Sequence, residues 1–176
     1  IMDEAPLRRN QPTIHTLHGI NVGILSGDAL LFKAYKFFED LEPNLFKACV
    51  RVFTHTGLLL CEGQQYDINF ETQEDVTFSD YIRMITYKTG ILSASSFEIG
   101  ALIAGADFKD AKAIFNFGKH VGIAFQIMDD YLDVFGNMEQ FGKQHAGDIV
   151  ENKKTVLYLL AKENGTEEER KELDYW

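Results

Sequence analysis

Cysteine and proline are scarce in this chain, which has two cysteines and three prolines in 176 residues. Cys49 and Cys61 have neither the spacing of metal ligands nor that of a disulfide framework, so we expect two buried thiols in a reducing compartment. No apolar run reaches the roughly 20 residues that span a bilayer, and no signal peptide is recognisable. We therefore expect a soluble, cytoplasmic protein without stable membrane insertion.

Positive charge is scarce too. The chain has 27 acidic and 17 basic residues, which give a net charge of -10. A protein that binds nucleic acid needs a basic face to neutralise phosphates, so nucleic acid is excluded as an expected partner. The few basic residues become informative where they gather near other polar groups.

Strand-like alternation of apolar and polar residues is missing, whereas helical spacing recurs along most of the chain. "TFSD" at Thr77 to Asp80 predicts a helix N-terminus with a capping box. The pattern predicts an all-α bundle of long helices in one domain. The predicted helices cover about residues 20–41, 44–69, 77–91 (or 77–106 with a break near Gly90) and 110–135, with a fifth from about 155 and a sixth in the charged tail.

The stretch "FQIMDDYLD" places three aspartates in an otherwise apolar helix. Asp129 and Asp133 lie one turn apart on one face, and Asp130 flanks it. Gln126 lies one turn before Asp130. Unpaired buried carboxylates cost several kcal/mol each, whereas oxygen ligands on a rigid helix suit Mg2+ together with substrate phosphates and water. The alternative is that the three aspartates form a solvated helix terminus. A D-D-x-x-D motif without other signals would favour that interpretation.

Basic residues follow the acidic helix at a loop's distance. Lys143, Lys153 and Lys154 surround Asp148 in "GKQHAGDIVENKK". Mg2+, carboxylates and lysines together suit a diphosphate, because cations neutralise a group that carboxylates alone would repel. The sequence therefore favours a diphosphate site over a solvated helix end.

Several segments together resemble the all-trans polyprenyl diphosphate synthases, such as the farnesyl and geranylgeranyl diphosphate synthases. "IMDEAPLRRNQPTIH" resembles the end of the family's first aspartate-rich region, and "FQIMDDYLDVFG" with the lysine loop resembles the second. "GDAL", "GQQYD" and "YKTG" match further motifs in the family's order. The first two aspartates of the first region would precede Ile1, so we expect residues 1–176 to be one partial synthase domain that lacks N-terminal and C-terminal parts.

The resemblance implies an isoprenoid synthase fold, a bundle of long antiparallel helices around a central cavity. It also implies a prenyltransferase that condenses isopentenyl diphosphate with an allylic prenyl diphosphate. The steps would be ionisation, condensation and proton loss, and the product an all-trans prenyl diphosphate. Mg2+, three ions per active site with substrate bound and replaceable by Mn2+, would assist ionisation. We further expect a homodimer and a product of three or four isoprene units.

The same resemblance assigns roles to individual residues. The implied metal ligands are Asp3, Asp129, Asp130 and Asp133. The implied catalytic residues, which also bind substrate, are Lys88, Thr89, Gln126 and Lys143. The further implied substrate-binding residues are Arg8, Arg9 on the isopentenyl diphosphate side, and Lys153 in the closing loop with Asp148. Gln64 and Asp67 are expected to order the cavity through hydrogen bonds, and Phe125 to line it or to pack in the core.

Two other functions remain open from the sequence. A class I terpene cyclase would carry a second motif of the form N-D-x-x-S-x-x-x-E, and no such segment occurs here. A non-catalytic regulatory subunit of a heteromeric prenyl synthase would share the fold. The intact "DDYLD" argues against this subunit, because a chain freed from catalysis need not keep three buried acids.

Overall fold

The computed structural model of the protein describes residues 1–2, 5–136 and 146–175. The prediction of an all-α fold is confirmed. The helices are α1 (Ile14–His18), α2 (Ile20–Tyr35), α3 (Pro43–Phe70), α4 (Phe78–Ile85), α5 (Ile91–Ile103), α6 (Phe108–Phe135), α7 (Gly147–Val150), α8 (Val156–Asn164) and α9 (Glu167–Tyr175). Within the described ranges, no helix combines the length and apolar character needed to cross a membrane.

The chain divides into two compact units, Ile1–Val50 and Arg51–Trp176. The first unit contains a small hairpin that the sequence did not predict. Its strands, β1 (Leu7–Arg8) and β2 (Gln11–Pro12), pair antiparallel. Arg9 and Asn10 form the turn with positive φ angles of 51° and 61°. Strands of two residues are too short for alternation to reveal them.

The second unit contains a π-helical turn, Thr86–Gly90, that joins α4 to α5. The sequence predicted a helix from Thr77 with a break near Gly90. Its start is confirmed, since Thr77 and Asp80 form a capping box. No break occurs, because Gly90 keeps helical angles of φ -62° and ψ -39°. The π turn carries Lys88 and Thr89, and such turns occur frequently at functional sites.

Two glycines allow the neighbouring helices to approach this π turn closely. A Cβ atom on Gly63 of α3 would lie 2.3 Å from the backbone nitrogen of Lys88. A Cβ atom on Gly122 of α6 would lie 2.7 Å from the Cα atom of Gly90. Only a residue without a side chain fits at such distances. The backbones of α3 and α6 therefore fix the π turn from two sides.

The α5–α6 pair continues this packing in antiparallel register. Gly118 of α6 faces Ala94 of α5, and a Cβ atom on Gly118 would lie 3.0 Å from the Cα atom of Ala94. This contact lies one helical turn away from the contact between Gly122 and Gly90. Beside it, a core cluster joins α4 to the end of α3 and to α8. Its buried members are Phe70, Tyr81, Met84, Ile85, Val156 and Leu159.

The two cysteines differ in exposure. Cys49 is buried as expected, whereas Cys61 is exposed, so the prediction of two buried thiols is wrong for Cys61. Both lie on α3, a helix with one apolar face. An apolar neighbourhood along the sequence does not specify which face of a helix a residue occupies.

Gly63→Ala should destabilise the protein, because the added methyl group would meet the Lys88 backbone at 2.3 Å and backbone cannot rotate away. Overpacking of this kind costs about 1–3 kcal/mol of unfolding free energy, which denaturant titration measures. The matched control is Gly57→Ala on the same helix, where the added Cβ meets nothing within 4 Å. This control should stabilise the protein by about 0.5–1 kcal/mol. Similar effects of the two substitutions would contradict the close approach.

Candidate active site

The three aspartates of "DDYLD" lie on α6 but in different surroundings. Asp130 is 4% exposed, whereas Asp129 and Asp133 are half-buried. The expectation that apolar residues surround them in a buried helix is only partly correct. Phe125 is 64% exposed and Met128 is 56% exposed, so α6 buries one side only. Phe125 therefore does not pack in the core that the described residues form.

A chain of hydrogen bonds connects α4, the π turn and α6. Thr89 Oγ1 donates to Gln126 Oε1 at 2.7 Å. Gln126 Nε2 in turn donates to Asp130 Oδ1 at 2.8 Å. The Tyr81 hydroxyl donates to the other oxygen of Asp130 at 2.7 Å. The structure therefore brings together three of the predicted site residues, and adds Tyr81.

Tyr81 is not among the residues that the sequence motifs predicted. One signal was available, since Tyr81 lies one turn after the capping residue Thr77, on the apolar side of α4. A tyrosine hydroxyl in a buried position needs a hydrogen-bond partner. The partner itself could not be identified, because Asp130 lies 49 residues further along the chain.

Burial controls the protonation of this pair. Burial raises the pKa of Asp130, and the negative charge of Asp129 adds to the rise, while hydrogen bonds from Tyr81 and Gln126 oppose it. Burial also raises the pKa of Tyr81, and the charge and hydrogen bond of Asp130 raise it further. Tyr81 therefore keeps its proton at neutral pH and remains a donor to Asp130.

Asp133 contacts the segment that leads to Lys153 and Lys154. Its Oδ2 atom accepts a hydrogen bond from the backbone N–H of Asp148 at 3.1 Å. Its carbonyl oxygen accepts one from the backbone N–H of Ala146 at 2.9 Å. The carboxylate thus lies at the start of α7, where free N–H groups favour a negative charge.

Two of the lysines predicted to bind substrate lie close to carboxylates. Lys88 Nζ donates to Asp67 Oδ2, and the Asp67 side chain is only 8% exposed. Lys153 Nζ lies 2.6 Å from Glu151 and 3.9 Å from Asp148. Burial alone would lower the pKa of Lys153, but the hydrogen bond to Glu151 and the charges of Asp67, Glu151 and Asp148 outweigh it and raise the pKa. Lys153 is therefore a cation at neutral pH.

The remaining predicted residues belong to the first unit or lie outside the described part of the chain. Arg8 and Arg9 are exposed in the hairpin of the first unit. Asp3 and Lys143 lie outside the described residues. The expectation that Asp67 acts through hydrogen bonds agrees with its contact to Lys88.

The acidic side chains of α6 determine whether a metal ion could bind here. Across residues 1–2, 5–136 and 146–175, no group of three or more His, Cys, Asp or Glu side chains is arranged to hold a metal. Asp129 and Asp133 nevertheless supply two half-buried carboxylates one turn apart on α6. Mg2+ commonly takes one or two protein carboxylates and completes its shell with water and substrate phosphates. These two residues fit a partial Mg2+ site of that kind.

Comparison with known proteins gives consistent matches over the whole chain. A model of the family described as polyprenyl synthetase matches residues 1–176. Geranylfarnesyl diphosphate synthase of Natronomonas pharaonis is 36% identical over 96% of this chain and 50% of its own length. Geranylgeranyl diphosphate synthase of Sulfolobus acidocaldarius is 38% identical over 97% of this chain and 53% of its own length.

The fold comparison agrees. The crystal structure of geranylgeranyl pyrophosphate synthetase from Pyrococcus horikoshii matches 99% of this chain and 54% of its own, with a TM-score of 0.89 and 37% identity. The chain spans about half the length of the curated relatives it matches. Because the family match extends over all 176 residues and the fold is that of its solved members, the chain belongs to the polyprenyl synthetase family.

Proposed function

We propose that the protein is a trans-prenyltransferase that condenses isopentenyl diphosphate with an allylic prenyl diphosphate. The observation that carries the proposal is the linked set Thr89–Gln126–Asp130, which joins the π turn to the acidic helix α6. Relatives at 37–40% identity named geranylgeranyl or short chain isoprenyl diphosphate synthase support this activity.

The lysines supply the positive charge that a diphosphate needs. We propose that Lys88 and Lys153 exchange their carboxylate partners for phosphate oxygens when substrate binds, since each is paired and partly buried before binding. Lys143 and Arg8 are assigned to the same allylic diphosphate, and Arg9 to isopentenyl diphosphate. Arginine suits that role because its planar fork donates two hydrogen bonds to one phosphate.

The reaction begins when the allylic C–O bond breaks and the diphosphate leaves with both bonding electrons. Lysine side chains stabilise the charge that develops on the leaving group. The double bond of isopentenyl diphosphate attacks the allylic cation, and loss of a proton restores a double bond. Thr89 and Gln126 are assigned to the side of the reacting carbons. An apolar surrounding would exclude water, which otherwise quenches the cation.

Mg2+ is the proposed cofactor, with three ions per active site and with Mn2+ as a substitute. Asp129 and Asp133 would hold it together with Asp3, and bound Mg2+ would supply positive charge to the leaving diphosphate. Asp130 keeps its assignment as a metal ligand, and its bonds to Tyr81 and Gln126 give it a second task in holding Gln126.

The proposal extends to the organisation of the protein. We propose that both compact units belong to one synthase domain. We also propose that the protein is a homodimer and is located in the cytoplasm. The product is assigned a length of three or four isoprene units.

An assay of the intact protein tests the activity and its cofactor together. We expect isopentenyl diphosphate and allylic diphosphates to give an elongated prenyl diphosphate in the presence of Mg2+. A chelator should abolish turnover, and added Mg2+ or Mn2+ should restore it, because the carboxylates provide only oxygen ligands. Undiminished turnover with excess chelator would exclude the metal. A folded protein without any turnover would instead favour the regulatory subunit.

Asp129→Asn should separate catalysis from stability. Without metal, the melting temperature should stay the same or rise slightly, since the charge of Asp129 acts against ionised Asp130. Turnover should fall by orders of magnitude, because the substitution removes a negative ligand that faces the metal. Thermal melts with and without Mg2+ and pyrophosphate measure how far ligand binding raises the melting temperature of each protein.

The ligands should raise the melting temperature of the parent by mass action and that of Asp129→Asn much less. The control is Asp110→Asn, an exposed carboxylate in the first turn of the same helix. Asp110→Asn should respond to the ligands as the parent does. Parent-like turnover of Asp129→Asn, or lost turnover through unfolding alone, would disprove the metal assignment.

Lys88→Ala should weaken the binding of a non-ionisable allylic diphosphate analogue. A charge-assisted hydrogen bond contributes about 1.5–3 kcal/mol, which corresponds to roughly a 10- to 100-fold higher Kd. Titration calorimetry measures the change. The double variant Lys88→Met/Asp67→Asn avoids leaving the buried Asp67 unpaired and should show the same loss of affinity. Lys112→Ala, which removes an exposed lysine of α6, is the control. Equal affinities of parent and both Lys88 variants would refute the assignment.

A further inference from the structure

We propose that Tyr81 is a positioning residue for this reaction. Its hydroxyl, acting through Asp130 and Gln126, fixes the direction of the Thr89 hydroxyl. The inference rests on the proposed function where turnover is concerned. The hydrogen-bond chain that carries it stands on the geometry of the described residues alone.

Tyr81 acts from outside the substrate site. Its side chain is 1% exposed and belongs to the core cluster with Phe70, Met84 and Leu159. A side chain enclosed in this way cannot touch a diphosphate or a prenyl chain. Its hydroxyl nevertheless lies 2.7 Å from Asp130, so any effect on the reaction must pass through that carboxylate.

The hydrogen-bond geometry fixes the direction of every bond in the chain. Both oxygens of Asp130 accept, Oδ2 from the Tyr81 hydroxyl and Oδ1 from the NH2 group of Gln126. Because Gln126 turns its NH2 group to Asp130, its carbonyl oxygen faces Thr89. Since that oxygen only accepts, the Thr89 hydroxyl must donate its proton to it.

Threonines in helices have a competing partner, the carbonyl oxygen one turn back. Two other threonines of the second compact unit donate to such a carbonyl oxygen. Thr56 donates to the carbonyl of Val52 at 2.8 Å, and Thr86 donates to that of Ile82 at 2.6 Å. Thr89 donates to Gln126 instead. The chain from Tyr81 therefore keeps the Thr89 hydroxyl from turning back onto its own helix.

The fixed direction has a chemical consequence. With its proton held by Gln126, the Thr89 oxygen presents lone pairs to its other neighbours. This polarity suits an allylic carbon that becomes positively charged as the diphosphate leaves. Loss of the Tyr81 hydroxyl removes one of the three donors that hold Asp130, the others being Gln126 and the backbone N–H of Val156. The carboxylate is then held less firmly, and so is the amide of Gln126.

The first test compares Tyr81→Phe with Tyr66→Phe in the intact protein. Tyr66 stacks on Phe70 beside the same core, and its hydroxyl makes no hydrogen bond among the described residues. For Tyr81→Phe we expect kcat to fall by about 10- to 100-fold, with KM for both diphosphates within about twofold of the parent. Tyr66→Phe should leave both constants unchanged. A purely structural role of Tyr81 would lower the melting temperature without lowering kcat below that temperature, and would overturn the proposal.

The second test needs no substrate. With 15N-labelled glutamine, the side-chain NH2 signals of Gln126 are assigned by their loss in Gln126→Glu. We expect slow hydrogen exchange of this NH2 group in the parent and in Tyr66→Phe, and faster exchange in Tyr81→Phe. If the parent proves inactive while this difference is observed, the proposed function fails but the positioning by Tyr81 stands. Unchanged exchange, or parent-like kcat of Tyr81→Phe in an active enzyme, would disprove the positioning role.

Discussion

The close approach of three backbones at the π turn is the constraint on which the rest of the site depends. Gly63 lets α3 reach the Lys88 backbone, and Gly122 lets α6 reach Gly90. At this separation Thr89 can bond to Gln126, one turn beyond Gly122 on α6. Asp67, one turn after Gly63, meets the Lys88 side chain in the same way. The glycines therefore position the polar groups although they carry no polar atoms themselves.

Asp130 shows how a buried carboxylate is retained in this fold. Its burial raises its pKa and disfavours the charge, and hydrogen bonds from three elements, donated by Tyr81, Gln126 and the backbone of Val156, oppose that effect. Tyr81 connects this polar group to the apolar core, and Gln126 connects it to the π turn. Removing one donor would leave a buried acceptor unsatisfied, which costs more than the bond itself contributes. A substitution that disturbs the core packing of Tyr81 would for this reason also disturb the geometry of the site around Asp130.

The sequence predicted those features that depend on local pattern. The spacing of the α6 aspartates, the capping box at Thr77 and the all-α fold were all readable from residues within one or two turns. The hairpin at Arg9, the exposure of Cys61 and Phe125, and the π turn were not. Each of these depends on contacts or on backbone geometry that no short stretch of sequence encodes. The role of Tyr81 was inaccessible for the same reason, because its partner lies 49 residues away.

The π turn also changes the helical register between α4 and α5. One extra residue in a helix rotates everything after it by about 100° relative to what precedes it. The buried side of α4, with Tyr81 and Ile85, thereby meets the core cluster, while the buried side of α5, with Ala94, meets α6. Deleting a single residue from Thr86–Gly90 would bring the two helices into one register. It would turn a different side of α5 towards α6, so the length of this segment is as specific as its composition.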